Sequence, residues 1–218
     1  PLKFLKKEKF KYLIYQIEDY FDYEKGFCEQ MYKYENINYI YKNLIVSKNR
    51  KINSVENIKL IKNMEENIFI NSGKQIYKEI LDLDKKFIHI HPGDLPSTKG
   101  ADASLWQLKH WGDYAVSCFV MNKKIDEGNI LYKKKIKFQK FKFDIFSQLE
   151  TDEIYRLWYS FFDPLLRGFL LRELIINKND LINNISDIPK KYNENKKSNY
   201  YTFMTKKEKQ EIFELIFN

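Results

Sequence analysis

The spacing of apolar and polar residues predicts alternating helices and strands along the first half of the chain. Apolar side chains at intervals of three and four positions favour helices with one buried face, and short runs rich in Ile, Tyr, Phe and Val favour strands. The predicted elements are a helix over 9–21, a strand over 37–46, a helix over 53–63 with a capping-box-like start at Asn53 and Glu56, a strand over 67–71, a turn at Ser72 and Gly73, a helix over 74–83 and a strand over 87–91. From 37 onward, strands and helices alternate, which favours a parallel sheet with right-handed crossovers.

The second half of the chain adds two strands and then becomes mainly helical. The predicted elements are a helix over 103–111 ended by Gly112, strands over 114–121 and 129–138, a helix from 151, a break at Asp163 and Pro164, a helix over 164–176, a polar connection over 178–199, a strand over 200–204, and a helix from the capping box of Thr205 and Glu208 through 217. We therefore expect an α/β fold with a mostly parallel sheet flanked by helices. The expected domains are a core over 1–150 and a small helical and short-strand appendage over 151–218.

Composition places the chain among globular proteins. Of its 218 residues, 44% are hydrophobic and 17% aromatic, which is enough to build a core. No apolar run approaches the ~20 residues of a membrane helix, and no signal-peptide pattern opens the sequence, so we expect a cytoplasmic protein without a membrane partner. Cys28 and Cys118 lie far apart without metal-binding spacing, which disfavours a disulfide framework or a zinc site.

The net charge of +8 allows an anionic partner. The lysines are scattered among Asn, Ile and Tyr residues instead of forming one basic segment. We therefore expect an anionic small molecule as the partner and no nucleic acid.

One strand of the predicted sheet carries the candidate chemistry. Phe87, His89 and His91 fall on one face of this strand, and two isoleucines fall on the other. Pro92 and Gly93 then end the strand. Both histidines consequently lie near its C-terminal end, where open α/β sheets bind their ligands.

Three short segments make this region resemble a known enzyme family. The sequence reads HPGDLP over 91–96, KG over 99–100 and IDEGNIL over 125–131. Together these segments are similar to the formyltetrahydrofolate-dependent formyltransferases, whose motif is Asn-x-His, a proline-bearing loop and a downstream Asp-x-Gly. The separation between His91 and Asp126 also suits that family.

The resemblance, which spans about residues 67–135, implies a role for each matched residue. His91 falls on the family's catalytic histidine and Asp126 on its catalytic aspartate, so His91 would help to deprotonate the acceptor amine while Asp126 supports the charged imidazole. His89 falls where the family has an asparagine that donates to the formyl oxygen, and an imidazole N–H can serve that purpose. We therefore expect His91, Asp126 and His89 to be catalytic and no metal to be bound. The residues expected near the folate are Ile70, Ser72, Met121 and Asp126.

The resemblance also implies a Rossmann-like core and N10-formyltetrahydrofolate as co-substrate. The expected acceptor is the amine of a nucleotide-linked amino sugar, as used in lipopolysaccharide O-antigen biosynthesis, because the chain has little room for a tRNA-binding domain and the His-Pro-Gly loop is similar to the sugar-modifying branch. A homodimer is left open. Members of the family normally begin with a strand and a Gly-rich loop, which the sequence does not predict here, so that strand either lies upstream or has been replaced.

Two alternatives remain open from the sequence. His89, His91 and Asp126 could form a metal-binding triad of a hydrolase, although the chain is short for the ~250-residue (β/α)₈ barrel that often carries such a site. The histidine in place of the family's asparagine could instead indicate a degenerate relative kept as a binding or assembly subunit.

Overall fold

The structure is a computed structural model that describes residues 12–15, 44–47, 49, 51–71, 75–140, 148–177 and 198–217. The chain divides into two compact units. The described residues up to Asn63, together with Gln75–Ile80, belong to the first unit, and the other described residues belong to the second.

The described residues of the first unit include two strands and one helix. Strands β1 (Tyr12–Tyr15) and β2 (Leu44–Ser47) pair in parallel, and helix α1 (Val55–Lys62) follows. The side chain of Ser54 caps α1 by accepting a hydrogen bond from the Asn57 N–H, one residue later than the predicted start at Asn53.

The helix predicted over 9–21 is wrong at 12–15, where the chain forms β1. The main-chain hydrogen bonds of β1 come from β2, about thirty residues away, and no local periodicity reports such a partner. The rest of that predicted helix, and the part of the predicted strand over 37–43, lie outside the described residues.

The helix predicted over 74–83 is also wrong over most of its length. Residues 75–78 have no regular structure, and only a single 3₁₀ turn, Glu79–Asp82, forms. The amide of Asn53 accepts a hydrogen bond from the Lys78 N–H and donates one to the Ile76 carbonyl, so a side chain occupies the backbone groups that a helix would need. The turn predicted at Ser72 and Gly73 lies outside the described residues.

The second unit is built on a four-stranded sheet. Its strands are β3 (Ile68–Asn71), β4 (Lys86–His91), β6 (Tyr114–Val120) and β7 (Asn129–Ile136), in the spatial order β3-β4-β6-β7. Strands β3 and β4 are parallel, whereas β6 runs antiparallel to both of its neighbours. The expected α/β class is confirmed, with a sheet that is mixed in direction.

A second, two-stranded sheet lies beside the motif. Strand β5 (Thr98–Gly100) pairs in parallel with β8 (Asn199–Tyr201), which is shorter than the strand predicted over 200–204. Between β5 and β6 lies α2 (Ala103–Trp111), which ends at Gly112 in the left-handed conformation, as predicted. The C-terminal helix α5 (Lys206–Phe217) begins at the predicted capping box.

The break predicted at Asp163 and Pro164 is wrong. Helix α3 (Thr151–Leu157) continues through one π-helical turn, Trp158–Phe162, into α4 (Asp163–Asn177). Proline removes an N–H from the helical ladder, and the wider π turn that precedes it accommodates that loss without ending the helix.

Helices cover the sheet of the second unit and enclose two apolar clusters. In one cluster, Leu170 and Leu174 of α4 pack on Ile88 and Ile90, the β4 residues that face away from the histidines. The other cluster joins α2, α3 and α5 around Trp158. The helices α3, α4 and α5 thus belong to the same compact unit as the sheet. The division into a core and a C-terminal appendage stays a prediction. Within the described ranges, no helix is long and apolar enough to cross a membrane.

Candidate active site

The end of β4 brings both motif histidines to one edge of the sheet. Strand β3 stops at Asn71, which is level with His89, and on the other side His91 is level with Ser117 of β6. Because successive side chains of a strand alternate in direction, His89 and His91 share a face.

The loop after β4 is fixed from two directions. The Ser117 hydroxyl donates to the Gly93 carbonyl over 2.6 Å and accepts from the Leu95 N–H over 3.0 Å. On the opposite side, the Gln107 side chain of α2 accepts from the Thr98 hydroxyl over 2.7 Å. The side chains that make these bonds, Ser117, Gln107 and Thr98, are all buried. The bonds therefore hold the loop in one conformation.

His91 is buried, with 3% of its surface exposed. Its Nε2 lies 2.7 Å from the Thr98 carbonyl, and because a carbonyl oxygen can only accept, Nε2 carries the proton. The other ring nitrogen, Nδ1, lies 3.6 Å from Oδ1 of Asp126. Neutral His91 therefore directs its basic nitrogen toward a carboxylate and can become a stabilised imidazolium after accepting a proton.

The backbone conformation of Asp126 and a hydrogen bond from β5 fix the position of its carboxylate. Its φ of 56° lies in the left-handed region, which Asp tolerates better than most residues. Its Oδ2 accepts a hydrogen bond from the Gly100 N–H over 2.9 Å, which leaves Oδ1 toward His91. The structure thus brings together two residues that are distant in sequence and that the motif predicted to act jointly.

An ion pair between buried Lys99 and partly exposed Glu127 connects the loop of Asp126 to β5. Lys99 Nζ lies 2.7 Å from Glu127 Oε1, and this hydrogen bond is the main cause that lowers the pKa of Glu127. Lys99 therefore connects Glu127, the residue after Asp126, to β5, the strand whose Gly100 N–H binds Asp126. Nothing in the sequence predicted this connection, because Lys99 and Glu127 are 28 residues apart.

His89 has a different environment from His91. Its Nδ1 donates to the Asn71 carbonyl over 3.3 Å, and its Nε2 accepts from Nη1 of Arg167 over 3.4 Å. Burial, and then the charges of Arg167 and His91, lower the pKa of His89 to about 3. His89 is therefore neutral near pH 7, and its single N–H, expected to face a formyl oxygen, is engaged with Asn71.

Arg167 on α4 is a site residue that the sequence analysis missed. Its Nε donates to Asp163 over 2.7 Å, and its Nη1 donates to the Ile90 carbonyl over 2.9 Å. It is 78 positions from His89 in the sequence, and the only local signal is its spacing of four from Asp163 on one helix. That spacing indicates an ordinary helical ion pair and gives no reason to place Arg167 at the site.

Two of the residues expected near a folate, Ile70 and Met121, lie on opposite sides of β4. Ile70 lies on β3 beside Ile88 and is 41% exposed. Met121 follows β6, and its N–H donates to the Phe87 carbonyl over 2.7 Å. Ser72 lies outside the described residues, and Asp126 lies at His91 as described above. The assignment of these four residues to a folate stays a prediction.

The described part of the chain contains no group of three or more His, Cys, Asp or Glu side chains arranged to hold a metal ion. The lone pair on Nε2 of His89 accepts a hydrogen bond from the Arg167 guanidinium, whose positive charge opposes a cation at that position. This arrangement gives no support to the metal-triad alternative.

Comparison with solved structures identifies the fold. A sugar N-formyltransferase from a Shewanella species matches with a TM-score of 0.50 and 16% identity, over 87% of this chain and 75% of that one. A 4-N formyltransferase from Francisella tularensis matches with a TM-score of 0.51 and 16% identity, over 88% of this chain and 64% of that one. No protein-family model matches the sequence, and no curated protein matches it. The chain therefore has the fold of the formyltransferases, the family that its motif resembles.

Proposed function

We propose that this chain is an N-formyltransferase that moves a formyl group from N10-formyltetrahydrofolate to the amine of a nucleotide-linked amino sugar. The observation that carries the proposal is the pair of His91 and Asp126, 3.6 Å apart at the end of β4 in a chain with the formyltransferase fold. Both residues stand at the motif positions where the resemblance places a catalytic histidine and aspartate.

The residues of the site fit the requirements of formyl transfer. The amine must lose a proton when it attacks, and Nδ1 of neutral His91 is a base whose orientation the Thr98 carbonyl fixes. Asp126 then stabilises the imidazolium that forms. The buried surroundings of His91 strengthen this interaction relative to water.

The reaction that these residues serve is balanced without a further reactant. The amine nitrogen bonds to the formyl carbon, the bond between that carbon and N10 of the donor breaks, and the proton given up by the amine reaches N10 by way of His91. The N-formylated amino sugar and tetrahydrofolate are the products. His91 returns to its neutral form, so one turnover leaves the chain unchanged.

An anionic sugar nucleotide suits the rest of the chain. A net charge of +8 attracts a substrate that carries phosphates. One of the structures with this fold is a sugar N-formyltransferase, and the His-Pro-Gly form of the loop resembles the sugar-modifying branch. Sugars of this kind would supply surface polysaccharides such as O-antigens.

The test is incubation of the purified chain with N10-formyltetrahydrofolate and a panel of nucleotide-linked amino sugars, followed by mass spectrometry. We expect one sugar to gain one carbonyl group, and we expect no gain when the folate is omitted. A folded chain that formylates no member of the panel would contradict the proposal. In that case, folate binding without turnover would favour the binding-subunit alternative, and tightly bound zinc would favour the hydrolase.

A further inference from the structure

Formyl transfer needs a hydrogen-bond donor for the formyl oxygen, on which negative charge develops as the amine attacks. The resemblance places this task on the residue at position 89. His89 has one N–H in its neutral form, and that N–H donates to the Asn71 carbonyl. The other ring nitrogen accepts a hydrogen bond, so His89 has no N–H left for a substrate.

Arg167 brings a guanidinium to the same place. Nη1 of Arg167 lies 3.4 Å from Nε2 of His89, the residue that stands where the resemblance places the family's asparagine. The guanidinium carries five N–H groups in one plane, and a permanent positive charge makes each a stronger donor than a neutral amide.

Three contacts fix the orientation of this guanidinium. Nε donates to the Asp163 carboxylate, and the two hydrogens of Nη1 are directed to the Ile90 carbonyl and to His89. Nη2 of Arg167 has no hydrogen-bond partner within the part of the chain that the structure describes. The side chain is 31% exposed, so a ligand at the end of β4 can reach it.

We propose that Arg167 supplies the donor for the formyl oxygen and that His89 acts as a positioning residue that holds the guanidinium in place. This inference rests on the formyltransferase function proposed above and assigns the oxygen-binding part of that site. The bonds made and broken in the transfer are those already described, and Arg167 stays protonated throughout. His91 and Asp126 manage the proton, while Arg167 stabilises the charge on the oxygen.

Charge balance at the site is compatible with this role. Asp163, which is buried, pairs with Arg167 at Nε and also accepts from the Ser104 hydroxyl over 3.1 Å. This pairing holds the guanidinium without covering Nη2. A carboxylate placed directly against Nη2 would have competed with the developing oxyanion.

The experiment compares the full chain with three variants, using the amino sugar identified by the panel and N10-formyltetrahydrofolate. Arg167→Met removes the guanidinium, Arg167→Lys keeps a positive charge with different geometry, and Arg172→Met is the matched control on an exposed part of the same helix. Circular dichroism and thermal melts check that each variant is folded.

We expect Arg167→Met to lower kcat about 10²–10³-fold, the usual effect of losing one such donor, with little change in the KM of either substrate. Arg167→Lys should recover part of the loss, because an ammonium keeps the charge but not the planar donor geometry. Arg172→Met should stay within twofold of the unmodified chain.

Two results overturn the inference, and they are distinguishable. If the unmodified chain transfers a formyl group and folded Arg167→Met keeps its kcat within twofold, Arg167 is not the donor and the proposed function stands. If the unmodified chain transfers no formyl group, the proposed function fails and the role of Arg167 fails with it.

Discussion

The two histidines of the candidate site, which are two positions apart, face side chains of opposite charge. Nδ1 of His91 faces the Asp126 carboxylate, whereas Nε2 of His89 faces the Arg167 guanidinium. A carboxylate favours a charged imidazole, and a guanidinium favours a neutral one. Under the proposed function, His91 accepts the proton of the amine, whereas neutral His89 accepts a hydrogen bond from Arg167.

The environment of His89 predicts a specific pH dependence. The pKa of His89 is lowered from 6.5 to about 3, and the charged or titratable groups that act on it are Arg167, His91 and Asp126. Between these two values the unfolded chain binds a proton at His89 that the folded chain does not. The free energy of unfolding should therefore fall as the pH drops from about 6.5 toward 3, by up to about 1.4 kcal/mol per pH unit from this residue.

The measurement uses the small number of histidines in the chain. With three histidines, the imidazole carbon-bound protons can be followed separately by NMR. A His89→Asn variant identifies the His89 signal by its loss. The same variant should reduce the slope of the free energy of unfolding against pH. A His89 signal that titrates near pH 6.5 in the folded chain would contradict the burial of His89 and its contact with Arg167.

The motif residues could be identified from the sequence, whereas a residue that contacts them, Arg167, could not. The family resemblance of the motif implied that His91 and Asp126 act jointly, and the structure places Nδ1 of His91 3.6 Å from Oδ1 of Asp126. Arg167 could not be predicted, because its approach to His89 depends on how α4 packs on the sheet. Its ion pair with Asp163 has the same sequence signature as an exposed helical pair.

The connection between β6 and β7 determines where Asp126 lies. Gly128 approaches the Val120 carbonyl so closely that an added Cβ would lie 1.7 Å from that oxygen. Only glycine fits, so the Asp-x-Gly spacing of the motif has a local steric cause. The glycine lets the chain fold back against β6, which returns Asp126 toward β5 and His91.

We expect Gly128→Ala to destabilise the folded chain by at least about 2 kcal/mol, because the strand end must move to make room for the methyl group. The matched control is Gly168→Ala on α4, where an added Cβ meets nothing within 4 Å. That substitution should stabilise the chain by about 0.5–1 kcal/mol through helix propensity. Thermal or denaturant unfolding measures both, and equal stability of the two variants would contradict the packing at the β6–β7 turn.

Elements with strong local signals were predicted well, and elements fixed by distant partners were not. Helix α5 begins at Thr205 and Glu208, whose reciprocal hydrogen bonds are encoded within four residues. Strand β1 has a helix-like periodicity but pairs with β2. The π turn before Pro164 likewise depends on the packing of Trp158 in the core, which the proline signal alone cannot report.

The C-terminal part of the chain also helps to hold the motif loop in place. Asp102, which is buried between β5 and α2, accepts hydrogen bonds from Tyr155 and Tyr159 over 2.7 Å each and from the Met204 N–H over 2.8 Å. Burial, followed by the charge of Asp102, raises the pKa of Tyr159 well above its usual value. One carboxylate thus ties the motif loop to the helical region that also provides Arg167.

The proposed function requires His91 and Asp126 to form the catalytic pair of a formyltransferase. The most direct test is the rate of formyl transfer to the identified amino sugar by the unmodified chain, His91→Ala and His110→Ala. His110, an exposed histidine on α2, provides the matched control. We predict that His91→Ala lowers kcat about 10²–10⁴-fold, whereas His110→Ala stays near the unmodified rate. Full activity in a folded His91→Ala variant would contradict the claim.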